Sequence, residues 1–127
     1  MPRWALLRRM HSGDQHPIPQ VQLFVERIAE SEQVWALRDA EGSFALYPSI
    51  DDENIDVALF WSDKASALVH RREEWSDFQA VSISLQDFVD NWLRGLHFDG
   101  ILVGPDWGAG LEGPELEAEE LAKLITQ

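Results

Sequence analysis

The chain has 127 residues and no cysteine, which excludes disulfides, thiolate metal sites and cysteine nucleophiles and suits a reducing compartment. Its net charge of -13, from 23 acidic against 10 basic residues, repels nucleic acid and favours cationic partners. No apolar run approaches the roughly 20 residues of a membrane span, and a chain of this length buries enough surface to fold as one domain without a staple.

Residues 1–17, "MPRWALLRRMHSGDQHP", read as a flexible N-terminal lead ahead of a single domain at 18–127. The apolar stretch Trp4–Leu7 is shorter than the roughly 7–15 residues of a secretory core, so the expected location is the cytoplasm. Val21, Phe24, Val25 and Ile28 then recur at i, i+3, i+4 and i+7, the one-sided spacing of an amphipathic helix that starts near Pro19 and ends near Ser31.

In "VWALRDAEGSFALYP" two apolar runs flank Asp39–Gly42, predicting an antiparallel hairpin whose turn uses the glycine. Val57–Trp61 reads as a strand covered on both faces. Ser62 is positioned to cap a helix reaching about Arg72, with Ala65, Leu68 and Val69 inward. "AVSIS" is a further strand, and Ser84 with Asp87 forms a capping box. The helix it opens has Leu85, Phe88, Val89, Trp92, Leu93 and Leu96 inward. "ILVG" gives a last strand, and Pro114 is expected to open a final helix with Glu115 and Glu117 at its positive end. The order predicts an α+β fold: a mixed, roughly five-stranded sheet, built from the hairpin plus a β-α-β-α-β unit, with helices packed on it.

Three stretches invite a functional reading. The glycine-rich "GPDWGAGLEG" at 104–113 follows a strand, as phosphate loops do, but it offers Asp106 and Glu112 and no Lys or Arg, so an anion there is opposed. Asp52, Asn54 and Asp56 occupy the first, third and fifth places of a calcium loop and Asp63 the twelfth. Val57 stands where that loop requires glycine, so these three are weak metal candidates. The histidines lack zinc spacing and no nucleophile motif is present. Finally, the chain has six tryptophans. Trp35, Trp61 and Trp92 are explained by strands and a helix face, whereas Trp75 and Trp107 fall in connections. A loop aromatic beside acids is a common anchor for a basic partner, or else folds back as a lid over the core.

The strings "FVERIAESEQVWALRD" (24–39), "LFWSD" (59–63) and "FDGILVGPDWGAGLEGPELE" (98–117) together resemble a bacterial family catalogued as domain of unknown function 2750, over roughly residues 20–125. That resemblance implies an α+β fold and a bacterial, cytoplasmic protein, and supplies no activity. Members often carry Asn before the loop tryptophan and Pro after the following glutamate, where this chain has Asp106 and Ala118.

Two functions stay open. Charge, size and the lack of a catalytic constellation favour a non-enzymatic protein-binding or adaptor module, in one version an immunity-like inhibitor of a basic protein, with Trp107, Asp106, Trp75 and Trp61 as binding residues and no cofactor. The alternative is a small-molecule or metal binder, in one version an enzyme, at a rim formed by Asp106, Trp107 and the 51–56 loop.

Overall fold

The computed structural model describes residues 19–127, and the expected lead at 1–17 lies outside the described residues. Helix α1, Pro19–Ser31, buries Val21, Phe24 and Ile28, as their spacing predicts. Strand β1, Gln33–Arg38, turns at Gly42, whose φ is +91°. The turn is held by the Asp39 carboxylate, which accepts from the Glu41 and Ser43 amides at 2.9 Å each.

Strand β2, Leu46–Pro48, pairs antiparallel with β3, Asp56–Phe60, and β3 pairs parallel with β5, Leu102–Pro105. Strand β4, Gln79–Ser84, pairs antiparallel with β1. The five strands thus form sheets of two and three strands rather than one continuous ladder. They are stitched where Trp35 and Trp61 exchange both backbone hydrogen bonds at 2.8 Å. The predicted hairpin survives as an Arg38–Phe44 bridge, after which the chain leaves β1 to join β3. The described residues form a single α+β domain.

Alternation along the strands splits the interior in two. Val34, Ala36, Ala58, Phe60, Ile83 and Val103 face the three longer helices, whereas Leu37, Val57, Leu59 and Trp61 face the side carrying Trp75 and Trp107. One face is therefore closed by helices and the other by loops.

Helix α2 is short, Lys64–Leu68, and its N-cap is Asp63 rather than Ser62, the carboxylate accepting from the Ser66 amide at 2.7 Å. It turns Ala67 and His70 inward, leaving Leu68 and Val69 exposed, the reverse of the predicted face. A single 3-10 turn, Glu73–Trp75, leads to β4. Ser84 caps α3 as expected, accepting from the Asp87 amide at 3.1 Å. Helix α3 runs as Leu85–Asp87, a π turn Phe88–Trp92, and Leu93–Asp99. The wide turn brings Phe88 and Trp92 onto Phe60, with ring centroids 4.9 and 5.9 Å away. Gly100, at φ +72°, closes the helix. The last helix, α4, is Ala118–Ile125. It starts later than Pro114 because Leu116 is extended and exchanges backbone bonds with Val103 at 2.9 and 3.0 Å.

Candidate functional site

The end of β5 positions the site. The Asp106 amide donates to the Phe60 carbonyl at 2.8 Å, extending the parallel ladder by one bond. There the backbone turns left-handed, with Asp106 at φ +51°, a conformation that aspartate adopts more readily than most residues. Its carboxylate accepts from the Ser62 amide at 2.7 Å and from the Ser62 hydroxyl at 2.9 Å. Its carbonyl accepts from the Gln20 side-chain amide of α1 at 2.8 Å. Burial raises the Asp106 pKa above the ordinary 3.8, against the opposing pull of the Ser62 bonds and the charge of Arg27.

Trp107 folds inward. Its indole N–H donates to the Pro114 carbonyl at 2.7 Å, and only 4% of the residue is exposed. Its carbonyl accepts from the Trp61 indole at 3.1 Å and from His70 Nε2 at 3.0 Å. A carbonyl only accepts, so Nε2 carries the proton. The ring lies in a slot between two glycines. A Cβ on Gly104 would fall 2.6 Å from its Nε1, and one on Gly113 would fall 2.7 Å from its Cδ1. These close approaches, and not a phosphate cradle, account for two of the loop's glycines. The loop's positive φ values fall instead on Asp106 and Leu111.

The structure brings Asp106, Trp107, Trp61 and Trp75 into one neighbourhood. Trp61 and Trp75 are buried with Trp107 in the same cluster, and the Tyr47 ring bridges Trp75 and Trp107 at 6.3 and 6.1 Å. Trp107 and Tyr47 thus line the floor, Trp61 and Trp75 share the buried cluster with Trp107, and none of the three indoles stands out as a surface anchor. His70, given no role by its sequence spacing, is 3% exposed and lies 4.8 Å from the Trp61 ring. Burial, followed by the charge of Arg72, lowers its pKa below 6.5, against the bond to Trp107.

Above this floor lies an open groove of about 1260 Å³ between residues 46–50 and 106–115. Among the described residues its walls contribute Glu74, Asp106, Glu112 and Glu115 and no Lys or Arg, alongside the apolar Leu46, Tyr47, Ile50 and Leu111. Glu115, expected at the positive end of the last helix, instead precedes that helix and is 1% exposed. It accepts from the Ser49 hydroxyl at 2.6 Å and the Ile50 amide at 3.0 Å, tying one wall to the other. Arg72 braces the loop through the Ala109 carbonyl at 2.6 Å. A second cavity of about 310 Å³, lined by Arg27, Ser66, His70 and Asp106 among others, opens on the far side of residues 106–109.

Asp52, Asn54 and Asp56 do not form a metal cage. The Asp52 carboxylate accepts from the Asn54 amide at 2.9 Å as a local turn, Asp56 begins β3, and Asp63 is spent as a cap. Among the described residues no three His, Cys, Asp or Glu side chains converge to hold an ion. The 51–56 loop does not line the groove, and its neighbour 46–50 does.

Fold and site define a small acidic α+β domain with an acid-walled, aromatic-floored groove on the face its longer helices leave open. No helix among the described residues is long and apolar enough to cross a membrane. The chain belongs to the family described as protein of unknown function (DUF2750), whose profile matches residues 21–125. No curated protein and no solved structure matches it.

Proposed function

We propose that this protein is a non-enzymatic binding module that takes a basic segment of another protein into the groove between residues 46–50 and 106–115, in the bacterial cytoplasm. The observation that carries this reading is the wall composition, which among the described residues is four acidic residues and no Lys or Arg beside the exposed apolar Leu46 and Ile50. A concave acidic site focuses the field of a chain whose net charge is -13 and speeds encounter with cations. Leu46, Tyr47, Ile50 and Leu111 supply apolar contact for the segment's aliphatic side chains. The cysteine-free composition suits the reducing compartment proposed.

A fluorescein-labelled peptide alternating arginine and leucine, titrated by anisotropy, tests the reading. Glu74→Lys with Glu112→Lys should weaken it about tenfold or more, since each 1.4 kcal/mol is tenfold. Glu26→Lys with Glu30→Lys, on exposed positions of α1, changes the same net charge away from the groove walls and should have far less effect. Equal weakening by both pairs would reduce the attraction to net charge alone and remove the groove from the account.

A second reading rests on the smaller cavity, which Arg27, His70 and Asp106 all line and whose volume is near the lower end of ligand pockets, about 300–1,000 Å³. A small anion held by Arg27 would raise stability by about 2.7 kcal/mol at 100 times its Kd. A thermal-shift panel of metabolites and divalent cations without a hit sets this reading aside.

A further inference from the structure

We propose that this protein pairs with a second copy of itself through the open face of α3, each Phe98 seating in the other copy's notch beside Gly95. This surface shares no residue with the groove. Phe98 is 89% exposed, the most open large apolar side chain among the described residues. Helix α3 buries Leu93 and turns His97 toward Glu119 of α4, 3.7 Å away. The opposite side, with Asn91, Gly95 and Phe98 at i, i+4 and i+7, faces solvent.

Gly95 marks this face. Glycine is the least favourable helix residue after proline, yet a Cβ at Gly95 would meet nothing within 4 Å and its φ is not positive. The fold of one chain therefore gives no reason for a glycine here. What the missing side chain leaves is a shallow cavity of about 280 Å³ lined by Asn91, Trp92, Gly95, Leu96 and Asp99. Trp92, Gly95, Leu96 and Asp99 stand at i, i+3, i+4 and i+7, a four-residue hole of the kind that receives a knob from a facing helix. Phe98 lies beside that hole and, being exposed, does not fill it. A knob and a hole on one face complement a second copy of that face, so a two-fold pair fills both holes and closes.

Charge sets the direction of the pair. Arg94 and Asp99 flank the face on opposite sides, and neither makes an ion pair among the described residues. When two such helices run in the same direction, each Arg94 meets the other copy's Asp99; in opposite directions like charges meet like. One helix face is smaller than a standard interface, so the pair is weak.

Sedimentation equilibrium of the full chain tests this. The salt should be about 0.15 M, where repulsion between exposed charges is screened beyond about 8 Å, because each chain carries a net charge of -13. Between about 10 µM and 1 mM a monomer–dimer equilibrium should appear, with a Kd on the order of hundreds of micromolar. Phe98→Ser should weaken it about tenfold or more. Gly95→Gln fills the notch with a good helix former, so it should weaken the dimer as much while raising the Tm of the dilute monomer. Arg94→Asp should also weaken it, and Arg94→Asp combined with Asp99→Arg should restore it. A chain that stays monomeric at 1 mM overturns the proposal and leaves the face to a protein of different sequence. A dimer that survives Phe98→Ser or Gly95→Gln, or a charge exchange that fails to restore what Arg94→Asp removes, overturns it as well.

Discussion

Gly104→Ala puts a methyl group into the slot that receives the Trp107 ring. The added carbon would sit 2.6 Å from Nε1 and 2.8 Å from Cε2 of Trp107, and 2.8 Å from Cδ2 of Leu59. All three partners are buried, and the indole is pinned on its far side by Gly113 and through its N–H by Pro114, so it cannot swing away at low cost. Overpacking of this kind costs about 1–3 kcal/mol, while replacing a strand glycine by alanine returns roughly 0.5–1 kcal/mol of backbone entropy. The net loss is about 1–2 kcal/mol. With an unfolding entropy of about 2.1 cal/mol/K per residue, that lowers the Tm by about 4–8 °C in a chain of this size. Thermal melts followed by circular dichroism measure it. Trp107→Phe removes the N–H donor to Pro114, at about 1–3 kcal/mol, but also empties part of the slot. The double variant should therefore lose less than the sum of the two, by at least about 0.5 kcal/mol. An unchanged Tm for Gly104→Ala, or additive losses in the double variant, would refute the close packing of ring against glycine.

The two displaced titrations give predictions of opposite sign. The folded Asp106 pKa is raised above 3.8, so its contribution to stability is complete at acid pH and is lost as pH rises through the folded value. The Tm of Asp106→Asn relative to wild type should accordingly climb as pH rises across the carboxylate range, and a flat difference contradicts the raised titration of this half-buried carboxylate. The His70 pKa is lowered below 6.5, so its contribution is present above that value and disappears as pH falls through the folded one. His70→Gln, which retains a donor for the Trp107 carbonyl, should lose less urea stability than wild type between about pH 7 and pH 5. Glu115→Ala deprives the Ser49 hydroxyl and Ile50 amide of their acceptor, at about 1–3 kcal/mol. Amide exchange at Ile50 and Asp51 should accelerate, and Glu115→Gln should restore most of the protection; equal protection in all three proteins would detach Glu115 from the groove wall.

Much of the fold is legible where a local rule and the tertiary environment agree. The α1 stripe, the Gly42 turn, the apolar run of β3 and the Ser84 cap each follow from spacing or from one side chain's hydrogen-bonding chemistry. Disagreement begins where a distant partner decides. Pro114–Glu117 has every mark of a helix start, yet Leu116 is held extended by Val103, a strand residue thirteen positions earlier. Helix α2 carries apolar side chains on two sides, and the contacts His70 makes with the Trp61 ring and the Trp107 carbonyl turn Ala67 and His70 inward in place of Leu68 and Val69. The π turn answers to packing against Phe60, which no periodicity encodes. In the site, the grouping of Asp106 with three tryptophans depends on the parallel pairing of β3 and β5. The roles of His70 and Glu115 are invisible in sequence because an isolated histidine or a glutamate among 23 acids carries no positional mark.

The groove has a floor and a rim built on different physical principles. The floor converges on one peptide unit: the Trp107 carbonyl takes two ring donors, its indole gives one bond to Pro114, and the adjacent Asp106 carboxylate takes two from Ser62. Such a saturated network resists deformation, because displacing any member strands a buried polar group. The rim is the opposite, with Gly108, Ala109, Gly110 and Glu112 all exposed and Arg72 bracing Ala109 from the side. A rigid floor holds the wall carboxylates at a fixed spacing, and an adaptable rim lets backbones of different shape lie between them. That combination suits a ligand selected by its charge pattern more than by its contour, as the proposed binding of a basic segment requires.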